Sequence, residues 1–169
     1  MTILETERLR LRHLTFDDAA FILDLLNEPS FLHFIGDKGV RTLDDARDYI
    51  ATGPMTSYEQ HGFGLYLVAL KENDVPIGIC GLLKREALDD ADVGFAFLPA
   101  FWRQGYAFES TAAMLAYGRE ALGLKRIVAI VQPDNVGSIK TLEKAGLTFE
   151  RRVRLSEEEP EILLYASEM

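Results

Sequence analysis

Residues 126–131 read Arg-Ile-Val-Ala-Ile-Val, and this run limits the fold more than any other stretch. A β-branched run without polar alternation marks a strand that meets apolar neighbours on both faces. Such a strand needs partners beside it and helices above and below, so the rest of the chain has to supply both. Residues 8–12, Arg-Leu-Arg-Leu-Arg, alternate with period two and read as a half-buried strand. Residues 64–70 and 75–83 are two further strands, and the polar turn Lys71-Glu72-Asn73-Asp74 joins them into an antiparallel hairpin. After a second polar turn, residues 91–97 form another strand, stopped by Pro99. Residues 147–154 and 161–165 close the chain as a hairpin around an acidic turn.

Helical signals fall between these strands. Thr15-Phe16-Asp17-Asp18 resembles a capping box with Asp in place of the usual Glu. It opens a helix to about Asn27, with Phe21, Ile22, Leu25 and Leu26 on the buried side. Residues 29–40 read as turn-rich, and residues 42–51 as a short helix ended by Gly53-Pro54. Residues 105–122 are the longest helix, with Phe108, Ala112, Leu115 and Ala116 in register. Residues 135–145 form the last helix, stopped by Gly146, with Leu147 packing back on Leu142. The order β-α-α-β-β-β-α-β-α-β-β describes an α+β fold with a sheet of mixed direction. No linker or repeat interrupts it, so residues 1–169 are expected to be one domain.

Composition narrows the function classes. The chain is 48% hydrophobic and 27% charged, which suits a packed core and argues against disorder. Its net charge of −9 makes it a poor general polyanion binder, so nucleic acid is not an expected partner. One cysteine, Cys80, excludes an intrachain disulfide and points to a reducing compartment, so the expected location is cytoplasmic. His13, His33, His61 and Cys80 have no metal-ligand spacing, and no metal is expected. The first twelve residues are charged, unlike a signal peptide, and no apolar run suggests a membrane span.

Two segments stand where chemistry can occur. Phe101-Trp102-Arg103-Gln104-Gly105-Tyr106-Ala107 opens the longest helix directly after a strand. A helix start leaves four N–H groups without intrahelical partners, and no Ser, Thr, Asp or Asn lies between Trp102 and Gly105 to cap them. With Arg103 alongside, that is a phosphate-binding design; a plain glycine-capped helix explains the same residues equally well. The second segment is Pro133-Asp134-Asn135-Val136-Gly137-Ser138, after the most buried strand. Asn135 reads first as a helix cap. Asn135 and Ser138 also share one face of the first turn, a polar pair at the mouth of a cleft.

At these segments the sequence resembles the GNAT N-acetyltransferases, and within them the RimJ/RimL branch of ribosomal-protein N-terminal acetyltransferases. The resemblance runs from Thr6-Glu7-Arg8-Leu9-Arg10-Leu11-Arg12, with Asp17 and Asp18, through Ala91-Asp92-Val93-Gly94-Phe95. It continues through Trp102-Arg103-Gln104-Gly105-Tyr106-Ala107-Phe108-Glu109, Asn135-Val136-Gly137-Ser138 and Leu142-Glu143-Lys144-Ala145-Gly146. It implies a GNAT fold: a mostly antiparallel mixed sheet of about six to seven strands, flanked by about four helices and splayed at a cofactor cleft. The family's pyrophosphate signature is Q/R-x-x-G-x-G/A; Gly105 and Ala107 match it, with Trp102 at the first position as in the RimJ/RimL branch. The resemblance implies that Arg103, Gln104, Gly105, Tyr106 and Ala107 hold the pyrophosphate of acetyl-CoA. It also implies that main-chain groups of Phe95, Phe97 and Leu98 pair with the pantetheine arm, and that Asn135 and Ser138 border it. Many family members protonate the leaving thiolate with a Tyr in the last helix. Leu142 stands at that position here, so Ser138 is the polar group left for the role.

Asp92 stands where several GNAT branches place a carboxylate base, with Glu109 as a rival whose plainer role is to complement the helix dipole. Cys80, in an apolar strand, reads as a buried inert thiol rather than a nucleophile. His61 reads as a surface-loop histidine, and Glu157-Glu158-Glu159 as a solvated turn bordering the acceptor side. The expected activity is acetyl transfer from acetyl-CoA to a primary amine by direct attack in a ternary complex, in a monomer or homodimer. The expected acceptor is a protein or peptide N-terminal α-amine. The alternatives are a small amine such as an amino acid, polyamine or antibiotic, or a non-catalytic acyl-CoA-binding module.

Overall fold

A computed structural model describes residues 1–168. Eight strands form one sheet: β1 (Thr2–Glu5), β2 (Leu9–Arg12), β3 (Leu65–Leu70), β4 (Pro76–Leu83), β5 (Ala91–Phe97), β6 (Arg126–Val131), β7 (Thr148–Val153) and β8 (Ile162–Glu168). Their order across the sheet is β1-β2-β3-β4-β5-β6-β8-β7. Every neighbouring pair is antiparallel except β5 and β6. Six α-helices complete the described residues: α1 (Ala19–Leu26), α2 (Pro29–Phe34), α3 (Leu43–Ile50), α4 (Thr56–His61), α5 (Tyr106–Glu120) and α6 (Val136–Lys144). The α+β architecture and mixed sheet match the expectation from periodicity. The extra strand is β1, which adds to the edge beside β2.

Helices cover both faces, as the β6 run requires. On one face Met114 and Leu115 of α5 and Leu142 of α6 pack against Ile77, Cys80, Leu82, Ile127 and Ala129. On the other, Ile22, Leu25, Leu26, Ala46 and Ile50 from α1 and α3 pack against Leu67, Ala69 and Ile79. Alternation along β6 sends Val128 to a third cluster with Val153, Ile162 and Leu164 under the final hairpin. Gly81 allows close packing of β4 on the chain before β3, since a Cβ there would stand 2.0 Å from the Gly64 carbonyl oxygen.

Two segments depart from the sequence reading. Residues 29–34, expected as turn, form α2: Pro29 sits in its first turn, where its missing N–H costs nothing. Gly53-Pro54 does not end α3. A π-helical turn, Ala51–Met55, absorbs the proline and passes the chain into α4, which stops at Gly62 with φ +77°. The hydroxyls of Thr52 and Thr56 bond the carbonyls of Asp48 and Ala51, both at 2.8 Å, so the widened turn keeps these acceptors satisfied.

The pairing that positions the site is the shortest in the sheet. β5 and β6 are joined in register only at Ala91↔Ile127 and Asp92↔Val128. Beyond those pairs the two strands part, leaving one edge of β5 without a strand neighbour.

Candidate active site

A cleft of about 490 Å³ occupies the gap between β5 and β6. It opens to both faces of the sheet, because Phe95 and Phe97 belong to the α5 side and Ala96 to the α1 side. The Leu98 N–H donates to the Ile77 carbonyl at 3.0 Å, on the β4 side. By the pleat, Phe97, Phe95 and Val93 therefore turn their main-chain groups to the open side. The Phe97 carbonyl there accepts the Trp102 Nε1–H at 2.8 Å, which ties the loop before α5 to the end of β5. Phe95 has no strand beside it and offers its N–H and C=O to whatever enters the gap.

The loop that follows is wound by two left-handed residues, Arg103 at φ +62° and Gly105 at φ +85°. Gly105 is the N-cap of α5 and places no side chain over the first-turn N–H groups. Arg8 holds the loop from outside. Its Nη1 donates to the Gln104 carbonyl at 2.9 Å, and its guanidinium lies 4.3 Å from the centre of the Tyr106 ring. Glu109 fixes Arg8 in turn, accepting from Arg8 Nε at 2.7 Å, the Arg8 N–H at 2.9 Å and the Thr6 hydroxyl at 2.5 Å. Burial works against the charge on Glu109, but these donors outweigh it and hold the carboxyl below its usual range.

Asn135 caps α6, its Oδ1 accepting the Ser138 N–H at 3.3 Å. Both residues also line the cleft. The Ser138 hydroxyl forms no hydrogen bond among the described residues.

Most of the residues singled out in the sequence thus line one cavity: Phe95, Phe97, Arg103, Gly105, Tyr106, Ala107, Asn135 and Ser138. Three are placed elsewhere. Leu98 is outside the lining, and its N–H is spent on β4. Gln104 shapes the loop, its side chain donating to the Ala100 carbonyl at 3.0 Å. Asp92 sits at the paired end of the gap, 1% exposed, with Arg85 Nε 3.2 Å from its Oδ1. Burial pushes its carboxyl up to about 6 against the pull of Arg85. Any proton that Asp92 takes from a ligand in the cleft passes through an intermediary. Glu109 faces Arg8 and does not line the cleft.

Cys80 is fully buried and its thiol is pushed up to about 12, so it is no nucleophile. His61 ends α4 and lines a separate cavity of about 250 Å³. Glu157, Glu158 and Glu159 are exposed in the turn between β7 and β8. Among the described residues no group of His, Cys, Asp or Glu gathers as a metal site, and no helix is long and apolar enough to cross a membrane.

This arrangement has known counterparts. The profile of the acetyltransferase (GNAT) domain matches residues 8–148. The chain belongs to the GNAT acetyltransferase family. The N-acetyltransferase YoaA of Bacillus subtilis strain 168 is 32% identical over 154 residues, covering 90% of this chain and 86% of its own. An acetyltransferase structure from Agrobacterium tumefaciens str. C58 superposes with TM-score 0.84 at 25% identity, covering 100% of this chain and 95% of its own. RimL, a ribosomal L7/L12 α-N-protein acetyltransferase solved with coenzyme A, superposes with TM-score 0.85 over 100% of this chain and 98% of its own. At 17% identity that last likeness is one of fold.

As a GNAT acetyltransferase the protein takes its acetyl group from acetyl-CoA, and the cleft fits that donor. Arg103, Lys140 and Lys144 supply cations near the N–H groups at the start of α5, which suit a pyrophosphate. The unpaired edge of β5 suits the amide groups of the pantetheine arm. The sequence reading missed the wall contributed by the end of α1 and by α2, where Glu28, Phe31, Phe34 and Ile35 join the lining. The one available signal was Pro29 after Glu28, a first-turn proline with few further helix cues behind it.

Proposed function

We propose that this GNAT enzyme acetylates the N-terminal α-amine of a protein or peptide by direct attack in a ternary complex. One observation carries the reading: a single cleft opens to both faces of the sheet where β5 and β6 part. Donor and acceptor can then enter from opposite faces and meet at the β5 edge without a covalent relay, and no nucleophile lines that edge.

Bound acetyl-CoA supplies an activated acetyl group and a thiolate leaving group. The chain's own residues do the rest. N–H groups from residue 103 to residue 107 and the Arg103 side chain hold the pyrophosphate, while Phe95 and Asn135 border the arm. One main-chain N–H of the open edge between Phe95 and Phe97 donates to the acetyl oxygen as the amine nitrogen bonds its carbon and the C–S bond breaks. The Ser138 hydroxyl donates to the departing sulfur. The proton lost by the amine goes to water and, through water, to Asp92.

The acceptor class follows from what the lining lacks. Among the described residues no histidine borders the cleft, Glu28 is the one carboxylate that lines it, and the carboxylate held near 6 lies outside it. An α-amine of pKa ~7.7–8.0 is about a tenth neutral at pH 7, whereas a lysine amine at ~10.4 is neutral in fewer than about one molecule in a thousand. A site with so little base machinery suits the α-amine. The fold likeness to an α-N-protein acetyltransferase supports the same reading. A matched assay tests it, using one basic peptide with its N-terminus free and lysines blocked, and the reverse. Faster acetylation of the free N-terminus is expected; faster acetylation of lysine, or activity confined to small molecules, overturns the proposal.

A further inference from the structure

We infer that the acceptor end of the cleft is an apolar cage holding one carboxylate, Glu28, and that it selects an α-amine flanked by an apolar side chain. The inference rests on the amine-acetylation reading above and names the acceptor more narrowly.

The lining divides sharply by element. The loop before α5 contributes the cation Arg103, α6 contributes Lys140 and Lys144 along its length, and neither contributes an acid. The opposite wall, from the end of α1 through α2, contributes Phe31, Phe34 and Ile35, with Ser30 as its one uncharged polar side chain and no cation. Glu28, at the N-cap of α2, is the sole carboxylate among the lining residues. It forms no ion pair and no side-chain hydrogen bond among the described residues. Glu109, Asp92 and Asp18 by contrast face Arg8, Arg85 and Arg12. Glu28 is thus a half-buried charge left for a ligand, against an apolar wall that raises the value of a cationic partner.

The wall is also held in place. Phe31 is 5% exposed and anchors α2 in the core, while Ile35 is 45% exposed and free to meet a ligand. His33 Nε2 lies 2.8 Å from the Asp134 carboxylate, which ties α2 to the turn directly before Asn135. The acceptor wall and the Ser138 turn thus meet through one solvent-exposed contact. An ammonium on Glu28 places the adjoining carbon, and the group it carries, against Phe34 and Ile35. A small polar or acidic group in that position loses hydration without gaining a partner.

The test measures kcat/KM for peptides identical except for a first residue of Leu, Phe, Ser or Asp, alongside the amides of the same four amino acids. Leu and Phe peptides are expected to exceed Ser and Asp peptides by tenfold or more. Glu28→Gln should raise KM at least tenfold for every amine with CoA affinity unchanged, and Glu28→Asp should recover part of the loss. Phe34→Ser with Ile35→Ser should remove the preference among first residues while CoA affinity holds, which also shows that the variant is folded. Peptide acetylation that ignores the first residue, or an unchanged KM in Glu28→Gln, overturns the cage and leaves the N-terminal reading standing. Acetylation of Leu and Phe amides but of no peptide, with the same Glu28 dependence, overturns the N-terminal reading and leaves the cage.

Discussion

At Gly105 one backbone angle and one missing side chain leave the first-turn N–H groups of α5 uncovered. With φ at +85°, the position accepts Gly readily and Asn or Asp at moderate cost. A side chain at residue 105 would begin 3.2 Å from Arg8 Nη2, so Gly105→Asp and Gly105→Asn differ in charge beside Arg8. With Arg8→Gln in both, titration calorimetry should show CoA binding at least about tenfold weaker for Asp than for Asn, ~1.4 kcal/mol; equal affinities would remove the pyrophosphate from this turn. At Ser138 the hydroxyl is unbonded and the main-chain N–H is capped by Asn135. Ser138→Ala should keep CoA affinity and lower kcat by about 10²-fold, the low end for a proton donor, because a thiolate leaves readily near neutral pH. As the proposed final proton acceptor, Asp92 is expected to shape the pH dependence. Its carboxyl is pushed up to about 6, so its capacity to take a proton grows as pH rises through that value. Titration of the amine lowers kcat/KM below a pH of about 8 whatever the base, so the profile should steepen again below about 6, and Asp92→Asn should abolish that second step; a step retained in the variant would leave Asp92 as a partner of Arg85 alone. The same elevation disfavours the charged form in the fold only. The stability linked to Asp92 is therefore full below the ordinary value of 3.8 and declines as pH rises through about 6.

Among elements, the first strands and the longest helix depend on each other through Arg8 and Glu109. The sequence shows both residues within motifs shared with the family, but it offers no sign that they touch across 101 positions. Glu109 reads locally as a helix-dipole residue, and only the sheet order brings Arg8 beside it. Glu109→Gln should lower stability by about 1–2 kcal/mol, the worth of charge-assisted bonds at a half-exposed site. It should also weaken CoA binding, since Arg8 then holds the Gln104 carbonyl less firmly. Thermal melts and CoA titration read the two effects, and lost stability with intact CoA affinity would uncouple Arg8 from the loop. Helices with a strong local signal are legible in advance: Thr15 and Asp18 for α1, Thr42 for α3, Asn135 and Gly146 for α6. The α2 helix is not, because six residues carry too little periodicity to outweigh Pro29 and the glycines after it. The π turn at residues 51–55 is likewise hidden, since Gly53-Pro54 is ordinarily a stop and becomes passable only with the helix packed on the sheet.

Across the whole molecule, the buried run of β6 foretells a sheet covered on both faces, and the donor half of the cleft is legible because helix starts and glycines announce themselves locally. The acceptor half is not, because it exists only where α2 folds back over the β5 edge and brings Glu28 into one cavity with Ser138. The central claim is that one cleft holds the two substrates at opposite ends, cationic for the donor and apolar with a carboxylate for the acceptor. A crystal structure with CoA joined covalently to the N-terminal nitrogen of a Leu-initiated peptide tests it most directly. The pyrophosphate is expected at residues 103–107, the peptide nitrogen between the β5 edge and Glu28, and the leucine side chain against Phe34 and Ile35. A peptide that leaves the cleft by another wall, with Glu28 and α2 untouched, would contradict it.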